Sequence, residues 1–243
     1  MRALVAQSRA ELVLTLRRGE SVLLTLVIPI LLLVFFSTVD ILPKPVGVQD
    51  AVDFLAPGIL ALAVMSTAMV GLGIATGFER QYGVLKRLGS TPLGRPRLLG
   101  AKTNSIIAVE VLQVVILVGV AVALGWDPLH TSVGSAVAAM LLGTVAFAGL
   151  GLLMAGTLRG EVVLAAANGL YLLLLLLGGM VVPLGKLPGV VRPIARALPA
   201  GALSDALHHS LGGGHVSGSA YWFVLLAWAV AAPVAAALTF RWE

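Results

Sequence analysis

Residues 21–39, SVLLTLVIPILLLVFFSTV, run without a single charge, close to the roughly 20 apolar residues that cross a bilayer core. Similar apolar runs recur at about 54–78, 105–124, 133–158, 162–182 and 220–240. Inside hydrocarbon every backbone polar group must find its partner within the segment, so these runs predict an all-α integral membrane protein with six transmembrane helices. Composition agrees: 59% of the 243 residues are hydrophobic and 11% charged, with mean hydropathy +1.03. Soluble domains carry about 25% charge. Residues 1–243 read as one membrane domain without an internal repeat or linker.

Charge orients the spans. Between residues 79 and 102 the six basic residues Arg80, Lys86, Arg87, Arg95, Arg97 and Lys102 stand against Glu79 alone, leaving +5. The positive-inside rule places this connection in the cytoplasm. The connection at 40–53, with Lys44 against Asp40, Asp50 and Asp53, is net −2 and suits the outer side. Residues 184–217 hold Lys186, Arg192 and Arg196 against Asp205. That net +2 argues mildly against an outer location, yet the span count puts them there, as short interfacial helices broken by Pro193 and Pro199. Both termini then fall in the cytoplasm. The first 20 residues, with Arg2, Arg9, Arg17 and Arg18, predict a retained, interfacial N-terminal helix and not a cleaved signal.

The basic stretch has its own pattern. At 100° per residue over Phe78–Leu88, Val84, Leu88, Leu85, Phe78 and Tyr82 share one arc, opposite Lys86, Glu79, Gly83, Arg87 and Arg80. This predicts a short amphipathic helix, stopped by Ser90, Thr91 and Pro92. Within the spans, Gly73 and Gly77, Gly151 and Ala155, and Gly156 and Gly160 are small pairs at spacing four, suited to close helix approach. Arg159, Gly160 and Glu161 form a very short turn between two antiparallel helices.

Several chemistries are excluded or disfavoured. The chain has no cysteine, which rules out disulfides, iron–sulfur clusters and thiolate zinc sites. The basic residues make no continuous face for nucleic acid. Gly100-Ala101-Lys102-Thr103 and Gly185-Lys186-Leu187 both lack the P-loop pattern. His208, His209 and His215 sit near glycines, where a solvated loop is the better reading than a metal site. The chain thus shows no engine of its own, and a partner must drive it unless it couples to an ion gradient.

The residues resemble the ABC-2-type (type V) ABC transporter permeases and are similar to the daunorubicin-resistance permeases. The stretch ERQYGVLKRLGSTPL matches a family pattern E-R-E-x-G-T-L-E-R-L-x-x-T-P at Glu79, Arg80, Gly83, Leu85, Arg87, Leu88, Thr91 and Pro92. Gln81 and Lys86 stand where the pattern has acidic residues. The segment PLGKLPGVVRPIARALPAGALSDALHHSLGG matches the segment after the fifth span through Pro188, Arg192, Pro199 and Asp205.

The resemblance implies a coupling helix at 79–88 that, with the N-terminal helix, contacts a separate ABC ATPase. Tyr82 and Lys86 belong to that contact set. Two ATPase copies would drive two permease protomers, paired as a homodimer or with a homologous permease, in a bacterial plasma membrane. The chain itself would bind no cofactor, ATP and Mg residing on the ATPase. The segment before span six would form re-entrant or interfacial helices that cap the pathway or gate release. Glu110 and Gln113, three residues apart on one helical face, either line the substrate path or, for Glu110, form a snorkelling or hydrogen-bonded structural acid. Asn168 and Tyr171 suit a helix–helix hydrogen bond or substrate contact. The expected function is outward export of a hydrophobic or amphipathic drug or lipid. The alternatives are a glycan or lipid-linked glycan exporter and a secondary transporter without an ATPase.

Overall fold

A computed structural model describes residues 26–39, 50–89, 94–127, 132–212 and 218–241. Among these every regular element is helical. The N-terminal interfacial helix expected over residues 1–20 lies outside the described residues, as do residues 21–25 of the first expected span.

In chain order the helices are α1 (Ile28–Thr38), α2 (Ala51–Met65), α3 (Leu72–Gln81), α4 (Val84–Gly89), α5 (Gly94–Ala123) and α6 (Val133–Thr157). They continue with α7 (Gly160–Leu177), α8 (Val191–Ala197), α9 (Pro199–Leu211) and α10 (Ala220–Thr239). Among the described residues five helices are long and apolar enough to cross a membrane: Ala51–Gln81, Lys102–Ala123, Val133–Thr157, Gly160–Leu177 and Ala220–Thr239. The described part of the first expected span is α1, which is 11 residues long.

The second span is the axis of the protein. Val52 and every residue from Phe54 to Met65 are buried, so α2 is apolar on all sides because all sides meet protein. α2 joins α3 through a π-helical segment, Ser66–Gly71. Such widened turns interrupt the regular ladder and are frequent at functional sites. Around this axis pack α1, α5, α6 and α9, while α6 also holds α10 and α3.

Without a solvent-driven force between helices, close backbone contact must supply the attraction. A Cβ on Gly149 would lie 2.5 Å from the backbone nitrogen of Pro233 in α10, and one on Gly151 would lie 2.7 Å from the Met69 carbonyl. A Cβ on Gly73 would meet the Gly151 backbone at 3.1 Å, and one on Gly77 the Val163 side chain at 3.1 Å. The small residues paired by spacing are therefore contact points, but each meets a different helix.

Three expected boundaries move. The connection after the second span is largely helical, since α5 begins at Gly94 and Pro96 sits in its first turn, where no amide donor is needed. α7 ends at Leu177, five residues before the apolar run does, and Gly178–Pro183 form turns. Pro193 does not break a helix, because it occupies the first turn of α8, and Pro199 starts α9. α9 is packed inside the protein: all its residues from Pro199 to Leu211 except Asp205 and His209 are buried.

Introducing Val at Gly149 should destabilise the detergent-purified protein by about 1–3 kcal/mol, as overpacking does. Ala at Gly119, in the interior of α5 where a Cβ meets nothing within 4 Å, should leave the thermal midpoint unchanged or raise it. Equal midpoints for the two variants would refute the close α6–α10 contact.

Candidate functional site

The ends of α3, α6, α7 and α10 and the first apolar turn of α5 meet at one end of the bundle, beside α4. The amphipathic helix expected over Phe78–Leu88 is in fact two helices. Gly83 adopts a left-handed conformation, φ 67°, which glycine enters without a Cβ clash. The amide of Tyr82 donates to Phe78 O (2.9 Å) and that of Gly83 to Arg80 O (3.0 Å), ending α3. The turn changes which residues share a face. Leu85 is buried, whereas Tyr82 is 66% exposed, its ring stacked on Phe78 with centroids 6.1 Å apart. Lys86 and Arg87 are exposed on α4, and Arg87 Nη2 donates to the Tyr82 carbonyl at 3.2 Å. Leu88 belongs to α4, but its side chain, like Thr91 and Pro92 entirely, lies outside the described residues.

The three residues before the turn each reach another helix. Glu79 Oε2 is 2.6 Å from Lys102 Nζ, with both side chains largely buried. Arg80 donates through Nη1 to Gly156 O and through Nη2 to Leu158 O, at the C-terminal end of α6. The Arg241 carbonyl lies 3.5 Å from Nη1, and the Arg241 amide donates to the same Gly156 O at 3.1 Å. Gln81 Oε1 accepts the amide of Gly160, the first residue of α7, at 2.7 Å. A helix C-terminus leaves carbonyls unpaired and slightly negative, and an N-terminus leaves amides unpaired and slightly positive. Arg80 answers the first and Gln81 the second, across the same two-residue turn.

Glu110 and Gln113 lie together on the inner face of α5, buried to 7% and 2% exposure. Thr144 of α6 donates to Glu110 Oε2 and Thr67 of the π segment donates to Gln113 Oε1, each at 2.7 Å. Both groups therefore engage their own protomer, while Val111, Leu112 and Val115 form the exposed face of α5. Asn168 is exposed, and its Nδ2 donates to Leu164 O within α7 at 2.8 Å. Tyr171 is half-buried against the apolar core. These two are thus not brought to Glu110. Nothing in the spacing of Thr67 or Thr144 singles them out as partners.

The opposite end holds α8 and α9. The Pro188 carbonyl accepts the amides of Val191 (2.9 Å) and Arg192 (3.1 Å), while Arg192 Nη2 donates to Gly185 O (2.8 Å) and Leu187 O (3.1 Å). Arg192 thereby staples the preceding 3-10 turn to α8. Pro199 is the buried first residue of α9. His208, expected in a solvated loop, is instead buried in α9 between its own helix and α2. Its Nδ1 lies 2.7 Å from Ser204 O and its Nε2 3.0 Å from Phe54 O. His209 is exposed, and His215 lies outside the described residues. No group of three His, Cys, Asp or Glu side chains suited to a metal occurs among the described residues.

Asp205 is held up at about 6 from 3.8 by burial, an effect that Arg196 opposes. A carboxylate whose folded pKa is raised binds its proton more tightly when folded. Its contribution to stability is full below about pH 4 and is lost as pH rises through about 6. Asp205→Asn should therefore raise the thermal midpoint at about pH 7.5 more than at about pH 4.5; equal shifts at both would remove burial of the charge as the cause.

These features agree with what the chain resembles. Residues 2–211 match the family model described as ABC-2 type transporter. The chain is also 29% identical over 205 residues to a protein named "Putative transport permease YvfS" of Bacillus subtilis (strain 168), covering 82% of this chain and 81% of that one. With its bundle of apolar helices this chain is a multi-pass membrane protein, and it belongs to the ABC-2 type transporter family.

Proposed function

We propose that the chain is the permease subunit of an ATP-driven exporter that moves a hydrophobic or amphipathic molecule, a drug or a lipid, out of a bacterial cell. In this reading six spans cross the plasma membrane with both termini in the cytoplasm. A separate ABC ATPase binds ATP and Mg, and two copies of it drive two permease protomers.

The observation that carries the reading is the turn at Tyr82–Gly83 on a chain of this family. It holds a short basic helix at the end of the bundle through the buried Leu85, with Tyr82, Lys86 and Arg87 exposed. An aromatic ring beside two cations suits a groove with acidic rims on a soluble partner. Arg80, whose charge the sequence pattern offers to the same partner, reaches the end of α6 and serves the permease itself.

Co-expression with an ABC ATPase, followed by purification through the permease, tests the reading. Lys86→Glu combined with Arg87→Glu should lower the amount of ATPase recovered by about tenfold, since like-charge contacts across an interface cost several kcal/mol. The thermal midpoint of the permease alone should shift by no more than a few degrees, the exposed bond from Arg87 to the Tyr82 carbonyl being lost. Unaltered recovery and transport in the double variant would refute docking through α4.

Glu110→Gln, which keeps an acceptor for Thr144, should reduce export of at least one tested substrate if the acid serves the pathway. Normal export of every tested substrate would leave Glu110 a structural hydrogen-bonding group.

A further inference from the structure

We infer that Arg80 and Gln81 are positioning residues that carry the motion of α4 into α6, α7 and α10, and through them to the far end of the bundle. The inference rests on the ATPase reading proposed above and assigns the next step of it.

Several observations converge on this pair. Arg80 and Gln81 are the last two residues of α3, so a load applied to α4 reaches them directly through Tyr82 and Gly83. They hold opposite polarities of two successive helices: Arg80 the final carbonyls of α6, Gln81 the first amide of α7. Water at a membrane surface could satisfy those groups, so side chains from a third helix add a mechanical tie and not merely a cap.

The joint also has little slack. A Cβ on Gly160 would sit 2.5 Å from Gln81 Oε1, and one on Gly156 would sit 2.5 Å from the Phe240 ring. The Gly156 carbonyl, shared by Arg80 and the Arg241 amide, draws the end of α10 into the same knot.

α6 and α7 are continuous to the opposite end, where they meet α9. Ser135 Oγ donates to Ser210 Oγ at 2.8 Å, and the Ser132 amide donates to Ser210 O at 2.8 Å. A Cβ on Gly178 would come within 2.9 Å of Ala200. Packed helices move as rigid bodies between discrete arrangements, so a shift imposed at the α6–α7 turn is felt at α9.

The chain contains no cysteine, which permits a single reporter. His209→Cys, at an exposed position on α9, is labelled with a membrane-impermeant maleimide in the purified permease–ATPase complex, with and without ATP. Three clamp variants carry the same reporter. Gln81→Leu removes the acceptor. Arg80→Lys keeps the charge but cannot fork across two carbonyls. Gln81→Glu keeps an acceptor beside a helix N-terminus.

With the native clamp, ATP should change the labelling rate. In Gln81→Leu and Arg80→Lys the ATP-dependent change should shrink by about fivefold or more, while ATPase recovery, hydrolysis rate and thermal midpoint stay within twofold or within a few degrees of the native complex. Gln81→Glu should retain the native response. A full response in both Gln81→Leu and Arg80→Lys overturns the inference, as does loss of ATPase recovery in both, which would make the pair part of the docking surface. An unchanged labelling rate in a native complex that hydrolyses ATP overturns it too, leaving the function intact. A native chain that recovers no ATPase overturns the function, and the inference with it.

Discussion

A helix that ends near a membrane must dispose of backbone groups that its own ladder cannot pair, and two helices joined by a two-residue turn must do so twice in one place. The α6–α7 turn meets this demand with the side chains of a third helix. Arg80 supplies a fork of donors and Gln81 an acceptor, and their order along α3 mirrors the order of the carbonyl and amide ends they face. Four helix ends become one unit because of it, and α4 leaves that unit through a single left-handed glycine.

Away from this knot the bundle relies on shape. The second span is buried almost throughout, and glycines in α3 and α6 let backbones approach where a methyl group would clash. Side-chain hydrogen bonds also connect the spans: Thr67 to Gln113, Thr144 to Glu110. Each joins a span to α5, whose outer face is left to exposed valines and a leucine. Polar glue on one side and apolar surface on the other give α5 a fixed rotation.

The sequence reveals the spans well where apolar length and flanking polarity agree, as at 133–158 and 220–240 against Val133–Thr157 and Ala220–Thr239. Proline misleads in one place. Pro193 looks like a break, yet it lies in the first turn of α8, where the missing amide costs nothing, whereas Pro199 does mark the break between α8 and α9. Gly83 misleads oppositely, since the apolar periodicity from Phe78 to Leu88 hides the left-handed turn that separates Leu85 from Tyr82. The cross-helix roles of Glu79, Arg80 and Gln81 depend on residues some 20 to 160 positions away. No local pattern carries that information, and a run of charges reads as a surface when it is partly a set of internal ties. His208 was hidden similarly, its polarity absorbed by Ser204 and the Phe54 carbonyl.

The π segment at Ser66–Gly71 gives the second span a phase error. A wide turn accommodates one residue more than the regular helix does over the same rise, so the residues of α3 are rotated by about one helical position relative to a continuous count from α2. A helical wheel drawn across the whole span therefore misplaces everything beyond Gly71, including Gly73 and Gly77. It also means that a relative one residue shorter here can keep both halves of the span in register with their neighbours by closing the wide turn into an ordinary helix. Length variation at this point is thus structurally cheap.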